Sequence, residues 1–76
     1  MPRIPLLRAR DVVQAFQRLG WEETRRGKGS HIILTKSGHI ATLSVPDHPQ
    51  VARGTLRSLI ARAGLRVEEF LEALNS

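Results

Sequence analysis

Seventy-six residues without one cysteine must hold together by burial alone, because no disulfide or thiolate–metal staple is available to so short a chain. The same absence removes cysteine nucleophiles. The length allows one core, so residues 1–76 are read as a single domain. Where the apolar residues recur decides how that core is built.

In "RDVVQAFQRLGW", Val12 or Val13, Phe16 and Leu19 recur at helical spacing, with Arg10, Gln14 and Gln17 on the opposite face. Asp11 falls in the first turn, where the helix dipole favours an acid, and Gly20 is placed to end the helix in a left-handed conformation. "WEETRR", "SHIILTK" and "HIATLSV" then read as three strands. The last two are joined by Ser37-Gly38 into an antiparallel hairpin, and the charged first one is an edge strand. Pro46 and Pro49 end the sheet. Helical spacing returns in Leu56, Leu59, Ile60 and Ala63, closed by Gly64, and a shorter stripe follows in Val67, Phe70, Leu71 and Leu74. The order predicts an α+β domain: a three-stranded antiparallel sheet covered by helices on one face, plus a short C-terminal helix. In the second strand His31, Ile33 and Thr35 share one face and Ser30, Ile32 and Leu34 the other. Aliphatics on both leave open which face is covered.

Charge gives the first functional hint. Twelve Lys and Arg against seven Asp and Glu leave +5. No acid occurs between Glu23 and Asp47, while Arg25, Arg26, Lys28 and Lys36 fall inside that gap. A basic middle suits a polyanion such as nucleic acid, and a solvated basic surface would read the same way. Arg3, Arg8 and Arg10 interrupt the N-terminal apolar residues, so no signal peptide is expected. No run approaches a membrane span, and a cytoplasmic location is the simplest expectation.

The residues that change charge near neutral pH are His31, His39 and His48. Their spacings match no familiar metal-ligand pattern, so no metal site is predicted. The "GKGS" of residues 27–30 lacks the first glycine of a phosphate loop and precedes a strand rather than a helix, which removes nucleotide hydrolysis. A histidine beside basic residues does suit RNA cleavage. There the substrate's own 2′-hydroxyl attacks phosphorus and needs a base, the departing 5′-oxygen needs an acid, and cations balance the phosphorane charge. An imidazole, with an ordinary pKa of ~6.5, serves either proton role. Lys28, Arg25 and Arg26 would stabilise charge, and Gly27 and Gly29 would let backbone amides approach a phosphate. On spacing alone the plainer reading of His31 is a strand residue with one hydrogen bond, of the glycines a turn, and of the four bases a solubilising edge.

Taken together, "LGW" closing the first helix, "GKGSHIIL", "VPDHP" after the third strand and "GTLRSLIARAGLRVEEFLEAL" resemble the HicA-type toxins, the small RNA-cleaving halves of bacterial type II toxin–antitoxin pairs. The resemblance runs nearly end to end. It implies a double-stranded-RNA-binding-domain-like fold of order α-β-β-β-α. It also implies a metal-independent, ribosome-independent endoribonuclease that cleaves mRNA without a cofactor, and a HicB-type antitoxin partner. The family's catalytic histidine corresponds to His31, within a motif that includes Gly29 and Ser30. The RNA-contacting set drawn from the charge pattern and this motif is Arg25, Arg26, Lys28, Gly29, Ser30 and Lys36. His48 lies in the family's "VPxH" segment, and the second acid or base is left open between His39, His48 and a water that protonates the leaving oxygen. Arg66 stands where many relatives carry a small polar cap.

Two rival readings belong to other classes. A non-catalytic RNA-binding module of the same fold would use the same cations and leave the histidine incidental. A protein-interaction domain would dock a partner through the acidic C-terminal segment, with Glu68, Glu69 and Glu72, and its apolar stripe. Turnover that disappears with His31 separates the first reading from both.

Overall fold

A computed structural model describes residues 3–26 and 31–76, with Arg25 and Arg26 described by their backbone alone. The element order is α1 (Ala9–Arg18), β1 (Glu22–Arg26), β2 (His31–Thr35), β3 (Leu43–Pro46), α2 (Arg53–Arg62) and α3 (Val67–Leu74). The sheet is antiparallel throughout, in the order β1-β2-β3. This is the α+β, double-stranded-RNA-binding-domain-like arrangement, with the short C-terminal helix in place.

The end of α1 shows how sequence becomes packing. Leu19 caps the helix and Gly20 follows with φ +98, a value that costs an L side chain ~1–2 kcal/mol. The left-handed turn lets the Trp21 N–H reach back to the Phe16 carbonyl (3.0 Å) while the Gly20 N–H bonds Gln17 (3.1 Å), which is the Schellman arrangement. It places the Trp21 indole edge-on against the Phe16 ring, with centroids 6.4 Å apart. α2 ends the same way, with the Leu65 N–H on the Ile60 carbonyl and the Gly64 N–H on Ala61. Neither helix needs a polar side chain of its own for this closure.

Phe16 also meets Phe70 of α3 at 5.1 Å, so α1 lies between the sheet and the last helix. Ile32 and Leu34 of β2 and Leu43 and Val45 of β3 complete the core with Val12, Leu56 and Ile60. Burial alternates along β2 and β3, and His31 and Ser44 are exposed on the face without helices. The strand periodicity thus resolves in favour of Ile32 and Leu34 as the buried pair.

The third strand departs from expectation. "HIATLSV" alternates well enough to read as a strand from His39, but pairing begins at Leu43. The His39 N–H bonds the Lys36 carbonyl, and the Ala41 N–H donates to His39 Nδ1 (3.0 Å), so that amide is withdrawn from the ladder. Ile40 is left fully exposed at the loop tip.

Side chains from distant positions fasten the helices to main-chain carbonyls. Lys36 Nζ donates to Leu19 O (3.1 Å) and Arg18 Nη1 to Ala73 O (3.0 Å), each reaching a carbonyl at a helix end, where intrahelical donors run out. Arg53 Nε bonds Ile4 O (2.7 Å) and Arg62 Nε bonds Thr42 O (2.9 Å), which ties α2 to the N-terminal segment and to the approach to β3. At the start of α3, Glu69 Oε1 accepts the Arg66 backbone N–H (2.9 Å), so an arginine serves where a small polar cap was expected.

Two stability measurements follow. Gly20→Ala puts a Cβ 3.2 Å from Lys36 Cε at a left-handed φ, and the urea midpoint should fall by the equivalent of about 1–2 kcal/mol at unchanged slope. The Arg66 backbone N–H holds the Glu69 carboxyl below its ordinary value of 4.5, aided by the Arg66 charge against some desolvation. A depressed folded pKa stabilises above the unfolded value and loses that contribution as pH falls through the folded one. Thermal melts of Glu69→Gln should therefore lie below the parent at pH 7 and converge with it as the pH drops from 4.5.

Candidate RNA-cleavage site

The sheet is open on one side, and the residues expected to do chemistry are sorted by which end of it they occupy. His31 is the first residue of β2 and pairs with Pro46, the last of β3. It is exposed, on the strand face that carries no helix. Its position follows from the alternation that buries Ile32: the residue before a buried strand position must face the other way. Pro46 suits the site because β3 is an edge strand and a proline there forfeits no interior ladder bond.

His48 lies two residues beyond Pro46, at the same end. Its N–H bonds the Pro46 carbonyl (2.9 Å) and its own carbonyl accepts the Ala9 N–H (3.2 Å), so its backbone is fixed between β3 and the start of α1. The imidazole is exposed and lines a shallow cleft with Arg8, Arg10 and Asp47. Both histidines thus belong to the end where β3 leaves the sheet, His31 as the register partner of Pro46 on the helix-free face and His48 in the cleft with the three charged side chains. Arg10 and Asp47 were not singled out from sequence. Arg10 reads as the solvated side of an amphipathic helix, and its closeness to the strand end depends on how α1 crosses the sheet.

His39 is elsewhere. It follows the far end of β2, four residues or about 13 Å along the strand from His31 to Thr35 before the loop begins. Its ring packs on buried Trp21 with centroids 4.9 Å apart and a tilt of 55°. Nδ1 accepts the Ala41 N–H, which fixes the hydrogen of the neutral ring on Nε2. Lys36, the last of the expected RNA contacts, is turned onto the Leu19 carbonyl. Of the others, Arg25 and Arg26 stand opposite Ile33 and Ile32 in the register. Their side chains, and Lys28, Gly29 and Ser30, lie outside the described residues. Among the described residues no group of three or more His, Cys, Asp or Glu is placed to hold a metal ion, and no helix is long and apolar enough to cross a membrane.

A family model described as the HicA toxin of bacterial toxin–antitoxin systems matches residues 9–65. The chain belongs to the HicA toxin family. The match begins where α1 begins and ends with Leu65, so it includes both histidines of the strand end and the whole sheet, while α3 lies beyond it. Comparison with curated proteins and with solved structures gave no match. As a toxin of this family, the protein has a cognate antitoxin as its partner.

The different settings of the histidines predict different costs. His39→Ala removes an aromatic contact and a hydrogen bond, each worth about 0.5–1.5 kcal/mol, and should lower the melting temperature by several degrees. His31→Ala and His48→Ala, both at exposed positions, should melt with the parent in the same calorimetric experiment.

Proposed function

We propose that this toxin is a metal-independent, ribosome-independent endoribonuclease that cleaves mRNA, with His31 in one of the two proton-transfer roles, and that a HicB-type antitoxin neutralises it. The observation that carries the reading is the exposed His31 at the head of β2, on the helix-free face and next to the Gly-Ser of the family's motif. A long RNA can lie across an open sheet face, whereas an enclosed pocket would admit only a mononucleotide.

The chemistry needs two proton carriers, and His48 is the second in this reading. It occupies the same strand end as His31, while His39 is held against Trp21 at the opposite end. The substrate 2′-oxygen attacks phosphorus as one histidine accepts its proton. The P–O5′ bond breaks as the other donates a proton to the leaving oxygen. The products are a 2′,3′-cyclic phosphate and a 5′-hydroxyl. Arg25, Arg26 and Lys28 would balance the charge at phosphorus, and the backbone of Gly29 and Ser30 would approach the phosphate. Lys36 is left to its helix-capping role in this scheme.

Purified protein and its His31→Ala variant, both shown to be folded, should be incubated with a long single-stranded RNA in chelator. Cleavage should fall by about 10²–10⁴-fold with His31→Ala. His48→Ala should remove one limb of the pH–rate profile, and His39→Ala should leave the profile's shape unchanged. Equal cleavage by parent and His31→Ala would overturn the assignment. Salt-sensitive binding without cleavage by either protein would point to the RNA-binding module instead.

A further inference from the structure

Around the corner from His31, on the helix side of the sheet, α1 stands away from the strands far enough to leave a cleft of about 390 Å³. That size falls in the ~300–1,000 Å³ range of small-ligand sites. Its wall is one stripe of α1, Arg10, Gln14 and Gln17, which are i, i+4 and i+7 and therefore share a helix face. Its floor is apolar, made by Val13 and Ile32, both buried. Its rim carries Glu23 of β1 and Asp47 beyond β3.

This composition selects among the parts of a nucleic acid. The lining sets two carboxylates against one guanidinium, so it offers a phosphate no cationic surplus. A base is neutral, has flat apolar faces for Val13 and Ile32, and presents donors and acceptors along its edge. Each glutamine amide offers two donors and an acceptor, and the Arg10 guanidinium donates to ring nitrogens and carbonyls. The cleft also connects with the cleavage end of the sheet. Ile32 follows His31 in the chain, and Asp47 follows the Pro46 that pairs with His31, so each is one Cα step of ~3.8 Å from that pair. Arg10 and Asp47 line this cleft and the His48 cleft alike.

We propose that the α1–sheet cleft is a nucleobase subsite, in which Gln14 and Gln17 read the edge of an unpaired base adjacent to the phosphate handled at His31. Its placement beside the cut rests on the endoribonuclease reading, but the recognition does not, and the two fail separately. Only an unpaired base exposes the edge and both faces that such a cleft needs, so the substrate class is single-stranded RNA.

The test uses equilibrium binding in a His31→Ala background, where the nuclease reading expects turnover to be about 10²–10⁴-fold slower. Fluorescence anisotropy would follow labelled hexamers of A, C and U, with and without the Gln14→Ala/Gln17→Ala pair. Both glutamines are exposed and alanine favours helix, so the pair keeps the fold, as a matching melting temperature would verify. The parent should separate its best and worst hexamer by at least about fivefold, the lower end for one read base edge. The paired substitution should bring all three to within about twofold. The slope of affinity against salt should stay unchanged, because no phosphate contact is lost. Discrimination that survives the paired substitution, or equal affinity of the parent for all three hexamers, would overturn the subsite. Discrimination in the His31→Ala background, with no RNA cleavage by the wild-type protein, would sink the nuclease reading and leave the subsite standing.

Discussion

One line of rings holds the domain together: Phe70 of α3 against Phe16 of α1, Phe16 against Trp21 at the entry to β1, and Trp21 against His39 in the β2–β3 loop. These include every aromatic residue in the chain. In a domain this small, with no disulfide, placing the three largest fully buried side chains in one contact chain links elements far apart in sequence. The Schellman turn at Gly20 is what aligns the middle of the chain, because it sets Trp21 against the helix that precedes it. The sheet that presents His31 depends on this alignment, since β1 starts one residue later.

The cationic surplus has more than one use. Arg18, Lys36, Arg53 and Arg62 all donate to backbone carbonyls of distant segments, at distances of 2.7–3.1 Å. Such bonds satisfy acceptors that the helix ends and irregular segments would otherwise leave to water, and the long stems cover apolar surface on the way. A hydrogen bond to a neutral carbonyl does not cancel the charge, so the molecule keeps its positive field while these side chains act as fasteners. The net charge therefore suits a polyanionic partner such as the proposed RNA substrate and says less about which residues would touch it.

α1 and α2 were legible because each has a clean apolar stripe and a glycine stop, Val12, Phe16 and Gly20 in one and Leu56, Leu59, Ile60 and Gly64 in the other, while α3 showed by its stripe alone. β2 was legible as a strand, but its buried face was not, because Ile33 puts an aliphatic on the same side as His31. The start of β3 was misread because alternation in His39, Ala41 and Leu43 looks like pairing, and nothing local reveals that the His39 ring is drawn to Trp21. The distribution of the three histidines follows from that contact and from the His31–Pro46 register, both long-range facts. Arg10, Gln14 and Gln17 were visible as a polar helix face. That the sheet leaves a cleft beneath them is a property of interhelical and helix–sheet spacing, which a periodicity cannot report.

Trp21 is the single tryptophan of the chain, and it is buried at the junction of α1, β1 and the β2–β3 loop, at the end of the sheet remote from His31. The protein thus carries one intrinsic fluorophore, placed to sense the closing of its core and removed from the proposed RNA face. Its emission distinguishes a toxin silenced by a lost fold from one silenced by a lost side chain, without a label and in the same cuvette as the cleavage assay.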